Sequence, residues 1–265
     1  MAEQQQDDWR KDRERDLLSG VHSVLEAIRS GRQIEKILVQ NEGLSQRLDE
    51  LYDTARRAKL PVQKVPIQAL DRLAQRHQGV VAYVAPFTYI RLSEVLQQVH
   101  EAGREPFFII LDEVTDVKNV GAVARTAECA GADAMVVPML GTAQLGTEAL
   151  RASAGALQHI HVCREANLEK TVTFLQANGV RVVAITEKAN KEIFYMDMAG
   201  PIAIVLGSEE HGISQGVLAL VDGHARLPML GKIGSLNVAN ASSIALYEVV
   251  RQRIWAAQEA KEAAE

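Results

Sequence analysis

The chain has 265 residues, 47% of them hydrophobic and 24% charged, with a net charge of −5. Those fractions belong to an ordinary globular protein with material for one large or two modest cores. Its two cysteines, Cys129 and Cys163, exclude a disulfide framework, sit in no CxxC or Cys/His cluster that would suggest zinc, and fit a reducing cytoplasm.

Residues 1–16 are nearly all polar and read as a tail, neither a signal peptide nor an anchor. From Leu17 an apolar rhythm at helical spacing runs through Leu18, Val21, Val24, Leu25 and Ile28, with Gly31 as its stop. IEKILVQ (34–40) reads as a strand, Leu48 to Lys59 as a helix, LPVQKV (60–65) as a strand, IQALDRLA (67–74) as a short helix and VVAYVA (80–85) as a strand. These make a small α/β unit over 17–86. Residues 87–106, with a helical pattern near Leu92 to Val99 and Pro106 at the end, read as the connection to a second domain over 107–258, with 259–265 as a C-terminal tail.

The second unit opens with FFIILD (107–112), apolar enough for burial on both faces. There follow a helix at 119–130, strand AMVVP (134–138), a helix at 147–156, strand HIHV (159–162) and a helix at 165–177. Strands VRVVAIT (180–186) and PIAIVLG (201–207), a short helix near 215–220, strand HARLP (224–228) and a long helix at 236–255 complete it. This is an open, mostly parallel sheet covered by helices. No apolar run is long enough to span a bilayer.

Charge alone does not favour a nucleic-acid partner. Residues 1–100 carry 15 Lys+Arg against 14 Asp+Glu, so the first third is close to neutral and the remainder acidic. Arg56, Arg57 and Lys59 are basic candidates at a helix end, although such residues are commonly plain surface.

The usual nucleotide-fold signatures, GxGxxG after a first strand, a Walker loop, HExxH and GxSxG, are missing. Glycine-bearing loops instead follow the late strands, where open α/β sheets bind ligands. In LDEVTDVKNVGAVARTAECAGA (111–132), Asp112 ends a strand and Asn119 stands near a helix N-terminus, where it either caps free amides or serves a site. Arg125, on the helix, offers a fixed fork for phosphate, or else is a surface charge paired with Glu128. In IAIVLGSEEHGIS (202–214), a strand runs into Gly207 and the turn returns through Gly212. Glu209 either positions a hydroxyl or organises the loop, and His211 is either a general base or incidental. In LPMLGKIGSLNVANASSIALYEVV (227–250), Ser235 and Asn237 open a helix, and the small residues Ala239, Ala241, Ser242 and Ser243 permit close packing.

Together, Asn119, Gly121 and Arg125, LGSEEHG (206–212) and LPMLGKIGSLNVANA (227–241) resemble, in order and spacing, the three motifs of the SpoU (TrmH) family of RNA ribose 2′-O-methyltransferases. GVHSVLEAI (20–28) and HQGVVAYV (77–84) are similar to the start and end of the L30e-like RNA-binding domain that precedes the catalytic domain in several members. One departure is Val117, where the family usually has proline. The resemblance implies an α/β fold of SPOUT type with a deep C-terminal trefoil knot, and a cytoplasmic homodimer with active sites near the subunit interface. It implies S-adenosyl-L-methionine as donor and no metal. Arg125 would be the central catalytic residue, either orienting the 2′-hydroxyl and its 3′-phosphate or accepting the proton, supported by Asn119, Glu209, Ser235 and Asn237. Leu206, Gly207, Ser208, Gly212, Leu227, Met229 and Leu236 would hold the donor. Within the family a guanosine of 23S ribosomal RNA is the expected target, transfer RNA the runner-up, and a non-catalytic RNA-binding ribosome-assembly protein the alternative of another class.

Overall fold

The computed structural model describes residues 17–41, 46–84 and 86–263, so the polar tail at 1–16 lies outside the described residues. Two compact units emerge: one runs to Thr88 and takes in Gln144–Leu150, and the other comprises Tyr89–Ala143 with Arg151–Glu265.

In the first unit, β1 (Leu17–Ser19), β2 (Ile34–Gln40), β3 (Val62–Val65) and β4 (Val80–Val84) form a sheet ordered β1-β4-β2-β3. The helices are α1 (Val21–Arg29), α2 (Gln46–Arg57) and α3 (Ile67–Asp71). Leu17 and Leu18, expected to start a helical rhythm, instead pair antiparallel with Tyr83 and Ala82. Gly20, at φ 89°, breaks the chain between that strand and α1, and this turn is what a purely periodic reading overlooks. Val24, Leu25, Ile37, Leu51 and Ala55 pack between α1, α2 and the sheet. The buried ring of His77 accepts from the Gly79 N–H at Nδ1 (3.0 Å), so Nε2 carries the proton donated to Asp71 (3.0 Å). That pair fixes the turn leading into β4.

The second unit has six strands, all parallel: β5 (Phe107–Asp112), β6 (Ala134–Pro138), β7 (His161–Glu165), β8 (Arg181–Ile185), β9 (Ile202–Gly207) and β10 (Gly223–Ala225). Their order is β10-β8-β9-β5-β6-β7. The apolar runs are buried because helices cover the strands. Around them lie α4 (Leu92–Glu101), α5 (Val117–Cys129), α7 (Leu168–Ala177), α8 (Gln215–Leu218) and α9 (Val238–Glu262), while α6 (Thr147–Ala152) begins in the segment that groups with the first unit. Residues 87–106, expected as a connector, carry α4, whose Leu92, Val95, Leu96 and Val99 are buried in one cluster with Phe108, Ile110 and Val136. α9 continues to Glu262, past the expected tail boundary, because QEAKEA contains strong helix formers and no glycine or proline.

Asp112 closes β5 beside Gly207 of β9, which puts the loops after these central strands next to each other. Beyond β8, residues 186–193 run along the chain that leaves β10. Thr186 N–H donates to Ala225 O, Arg226 N–H to Lys191 O and Ile193 N–H to Arg226 O, each at 2.9 Å. α9 then packs on α5, and Thr126 and Ser243 meet hydroxyl to hydroxyl at 3.2 Å. The small residues of 239–243 permit this approach, since Ser242 and Ser243 turn their own hydroxyls back to Ala239 O at 2.7 and 2.9 Å.

Candidate active site

The site forms where the loops after β5, β8, β9 and β10 converge at the C-terminal edge of the parallel sheet. A strand end leaves its last carbonyls and the following amides free of the ladder, which makes this edge the natural ligand face. Asp116 caps α5, accepting from the Lys118 N–H (2.7 Å) and the Asn119 N–H (3.3 Å). Val117 is therefore the first helical residue, the place proline also suits, and the aspartate cap supplies the stiffness that the missing ring would have given.

Asn119 is not the cap. Its side chain points across the sheet edge and donates to Glu209 Oε1 at 3.1 Å. Asn237 donates to Asn119 Oδ1 at 3.0 Å and also to Glu209 Oε1, which lies within reach of the Val238 N–H at 3.4 Å. Asn237 Oδ1 caps α9 by accepting from the Ala239 N–H at 2.9 Å. One residue from each of the three motif segments thus enters a single network, with Glu209 Oε1 as the shared acceptor.

The loop bearing Glu209 is held by main-chain contacts. Ser208 and Gly212 exchange both backbone hydrogen bonds (3.1 and 2.9 Å), and Ser208 Oγ accepts from the His211 N–H at 3.1 Å. A Cβ on Gly207 would run into the backbone of Gly212 and Ile213, and Gly212 sits at φ 72°, so neither position suits another residue. Buried Asp112 accepts from the Ser214 N–H at 2.8 Å and anchors the far end of this loop. Gly121 has the same constraint as Gly207: a side chain there would strike Ala152 and Ser153.

Beside the network lies a cleft of about 630 Å³. Its walls are residues 185–188, 206–213 and the segment from Leu227 through Met229 to Ala241. Every residue expected to hold the donor, Leu206, Gly207, Ser208, Gly212, Leu227, Met229 and Leu236, lines it, as do Glu209, Ser235 and Asn237. Ile185, Leu206 and Leu227 are buried at the strand ends, an apolar floor for a flat base, while the loops supply polar groups. That combination of size and lining fits S-adenosylmethionine. Sequence reasoning missed the wall at 185–188, for which the available signal was a buried strand ending beside the one that feeds LGSEEHG.

Arg125 stands apart from this cleft. It is exposed on α5, with no hydrogen bond or ion pair to Glu128 or to any other described residue. His211 is exposed at the rim, its ring 4.0 Å from Glu210. Arg56, Arg57 and Lys59 are exposed at the end of α2 in the first unit. Among the described residues, no three His, Cys, Asp or Glu side chains gather as a metal site, and no helix is long and apolar enough to cross a membrane.

The family model of the SpoU rRNA methylases matches residues 106–247, and that of the RNA 2′-O ribose methyltransferase substrate-binding domain matches 17–90. The chain belongs to the SpoU methylase family. A Staphylococcus epidermidis protein, whose name places it among TrmH family tRNA/rRNA methyltransferases, is 40% identical over 240 residues, covering 89% of this chain and 96% of its own. The similarly named YacO of Bacillus subtilis is 35% identical over 239 residues, 90% of this chain and 96% of its own. Among solved structures, the SpoU methyltransferase AviRb of Streptomyces viridochromogenes, in complex with AdoMet, superposes with a TM-score of 0.58 at 26% identity, covering 90% of each chain. This chain is an S-adenosylmethionine-dependent RNA ribose 2′-O-methyltransferase of α/β SPOUT-type fold.

Proposed function

We propose that this enzyme methylates the ribose of a guanosine in 23S ribosomal RNA, with the donor in the cleft beside Asn119, Glu209 and Asn237 and the acceptor held by Arg125. The observation that carries the site assignment is the meeting of those three side chains, one from each motif, at the cleft wall. The match of 106–247 to a family described as rRNA methylases favours ribosomal RNA. The relatives' names, which pair tRNA with rRNA, keep transfer RNA as the second reading.

S-adenosylmethionine supplies an activated methyl group, so the protein's task is alignment and removal of one proton from a poor nucleophile. Leu206, Leu227, Met229 and Leu236 would hold the adenine side, with Gly207, Ser208 and Gly212 offering backbone groups. Ser235 and Asn237 stand where α9 begins and would hold polar atoms at the reacting end. A guanidinium is charged and offers only N–H donors, so Arg125 orients the hydroxyl and its neighbouring phosphate through charge and its planar fork, and the hydroxyl proton passes to solvent water.

The site is completed in a homodimer. α9 exposes Ile244, Tyr247, Ile254 and Trp255, an apolar stripe that monomers seldom leave open. Arg125 is carried by α5, the helix on which α9 packs, so a second subunit against that stripe would come close to the helix that bears it. A trefoil knot accounts for residues 186–193 clasping the chain at 225–226 before it returns to α5. The first unit, read as L30e-like, would bind structured RNA by shape and phosphate contacts, with Arg56, Arg57 and Lys59 as contributors. A cytoplasmic location suits both substrates.

The test is transfer of labelled methyl to purified 23S RNA and to bulk tRNA, followed by nucleoside analysis. Label in 2′-O-methylguanosine from 23S RNA supports the reading, and label confined to tRNA replaces it with the second.

A further inference from the structure

We propose that Glu187 binds the ribose diol of the methyl donor and so selects a ribonucleoside ligand; this rests on the donor occupying the cleft described above. Three glutamates line that cleft: Glu187, Glu209 and Glu210. Glu209 is committed, since its Oε1 already receives Asn119, Asn237 and the Val238 N–H. Glu210 is an outer group, its side chain 86% exposed and 4.0 Å from the His211 ring. Glu187 has no hydrogen-bond or ion-pair partner among the described residues, and both its oxygens are therefore free for a ligand.

The loop that carries it is held in place. Thr186 N–H is bonded to Ala225 O, and Thr186 in turn receives the Lys188 N–H at its hydroxyl (3.4 Å) and the Ala189 N–H at its carbonyl (3.2 Å). Ala189 is buried. Glu187 is thus at the tip of a tight turn anchored on both sides, one residue beyond Thr186 and two beyond Ile185, which ends the apolar floor. A purine resting on Ile185, Leu206 and Leu227 carries its sugar outward, toward the first polar groups of the wall.

The chemistry separates the groups on the donor. A vicinal diol offers two O–H donors at a spacing that one carboxylate accepts together, the arrangement that reads a ribose in dinucleotide-binding folds. The amino-acid end of the donor instead carries an ammonium and a carboxylate, and Lys188, also on this wall, is the group suited to the latter.

Calorimetric binding of S-adenosylhomocysteine, 5′-methylthioadenosine and 2′-deoxy-5′-methylthioadenosine to the full-length wild type and to Glu187→Gln tests this. The substitution is expected to weaken the first two ligands roughly tenfold each, as for loss of a charge-assisted hydrogen bond. Removing the 2′-hydroxyl should weaken binding to the wild type but not further weaken binding to Glu187→Gln. A loss seen with S-adenosylhomocysteine but not with 5′-methylthioadenosine would assign Glu187 to the ammonium and overturn the proposal. Equal affinities for wild type and variant would overturn it as well. Absence of any wild-type binding would instead overturn the donor assignment of the cleft, and Glu187 with it.

Discussion

The Asn119 side-chain amide donates to Glu209 Oε1 over 3.1 Å, joining the first turn of α5 to the loop after β9 across 90 residues of chain. The bond makes the two loops one body, and Asn237 adds the start of α9. Truncating Glu209 to alanine leaves two amides without their shared acceptor. Because the group is solvent-exposed, its stability cost is small, about 1 kcal/mol or less, while the two loops lose their common acceptor. The expected outcome for Glu209→Ala is a large loss of methyl transfer with the melting temperature nearly unchanged, measured by kinetics alongside calorimetry.

Gly207→Ala should act in the opposite manner. The added methyl meets the backbone of Gly212 and Ile213, which cannot rotate away as a side chain could. Overpacking of this kind costs roughly 1–3 kcal/mol. Chemical denaturation should show that loss, and donor affinity should fall with it because the cleft wall shifts.

Arg125→Ala should leave stability within about 0.5 kcal/mol of wild type, since the side chain is exposed and bonded to nothing described. Donor affinity should also hold. Methyl transfer should drop by at least about a hundredfold if the guanidinium orients the acceptor. Unchanged transfer would remove Arg125 from the site.

Acid stability should depend on Glu248. Hydrogen bonds from Arg251, at 2.7 and 2.9 Å, and then from Gln252 outweigh its burial and hold its carboxyl below the ordinary 4.5. Its stabilising contribution is therefore present above the usual glutamate range and lost as pH falls through the lower folded value. Burial pushes Glu165 the other way, so the wild-type curve alone mixes the two. The difference in melting temperature between wild type and Glu248→Gln isolates the pair, and it should shrink as pH falls below about 4.

The two thiols should differ sharply toward alkylation. Cys129 is exposed, whereas Cys163 is buried and its thiol is pushed up to about 12, chiefly by burial and then by Glu165 and Glu94. Iodoacetamide on the native protein should label Cys129 alone, as read by peptide mass spectrometry.

Much of this fold was legible because its strands are apolar runs bounded by breakers: IEKILVQ forms β2 at the expected residues, and FFIILD forms β5. What escaped was set by tertiary partners. Leu17–Ser19 becomes a strand only because β4 lies beside it, and the expected helix at 147–156 stops at Ala152, before Ala154 (φ 50°) and Gly155 (φ 89°) turn the chain into a short 3-10 helix at Ala156–Gln158. The motif residues were visible as types and spacings, but their partnerships were not. Nothing local to Asn119 says that Asp116 takes the cap and frees its amide for Glu209. The wall at 186–188 has no motif at all, since its place depends on β8 lying next to β9.

The most direct test of the central claim is a map of ribose 2′-O-methylation in ribosomal and transfer RNA from cells with the gene, without it, and complemented with Arg125→Ala. One guanosine in 23S RNA should lose its methyl group on deletion and stay unmethylated with Arg125→Ala. A map identical in all three strains would contradict that claim.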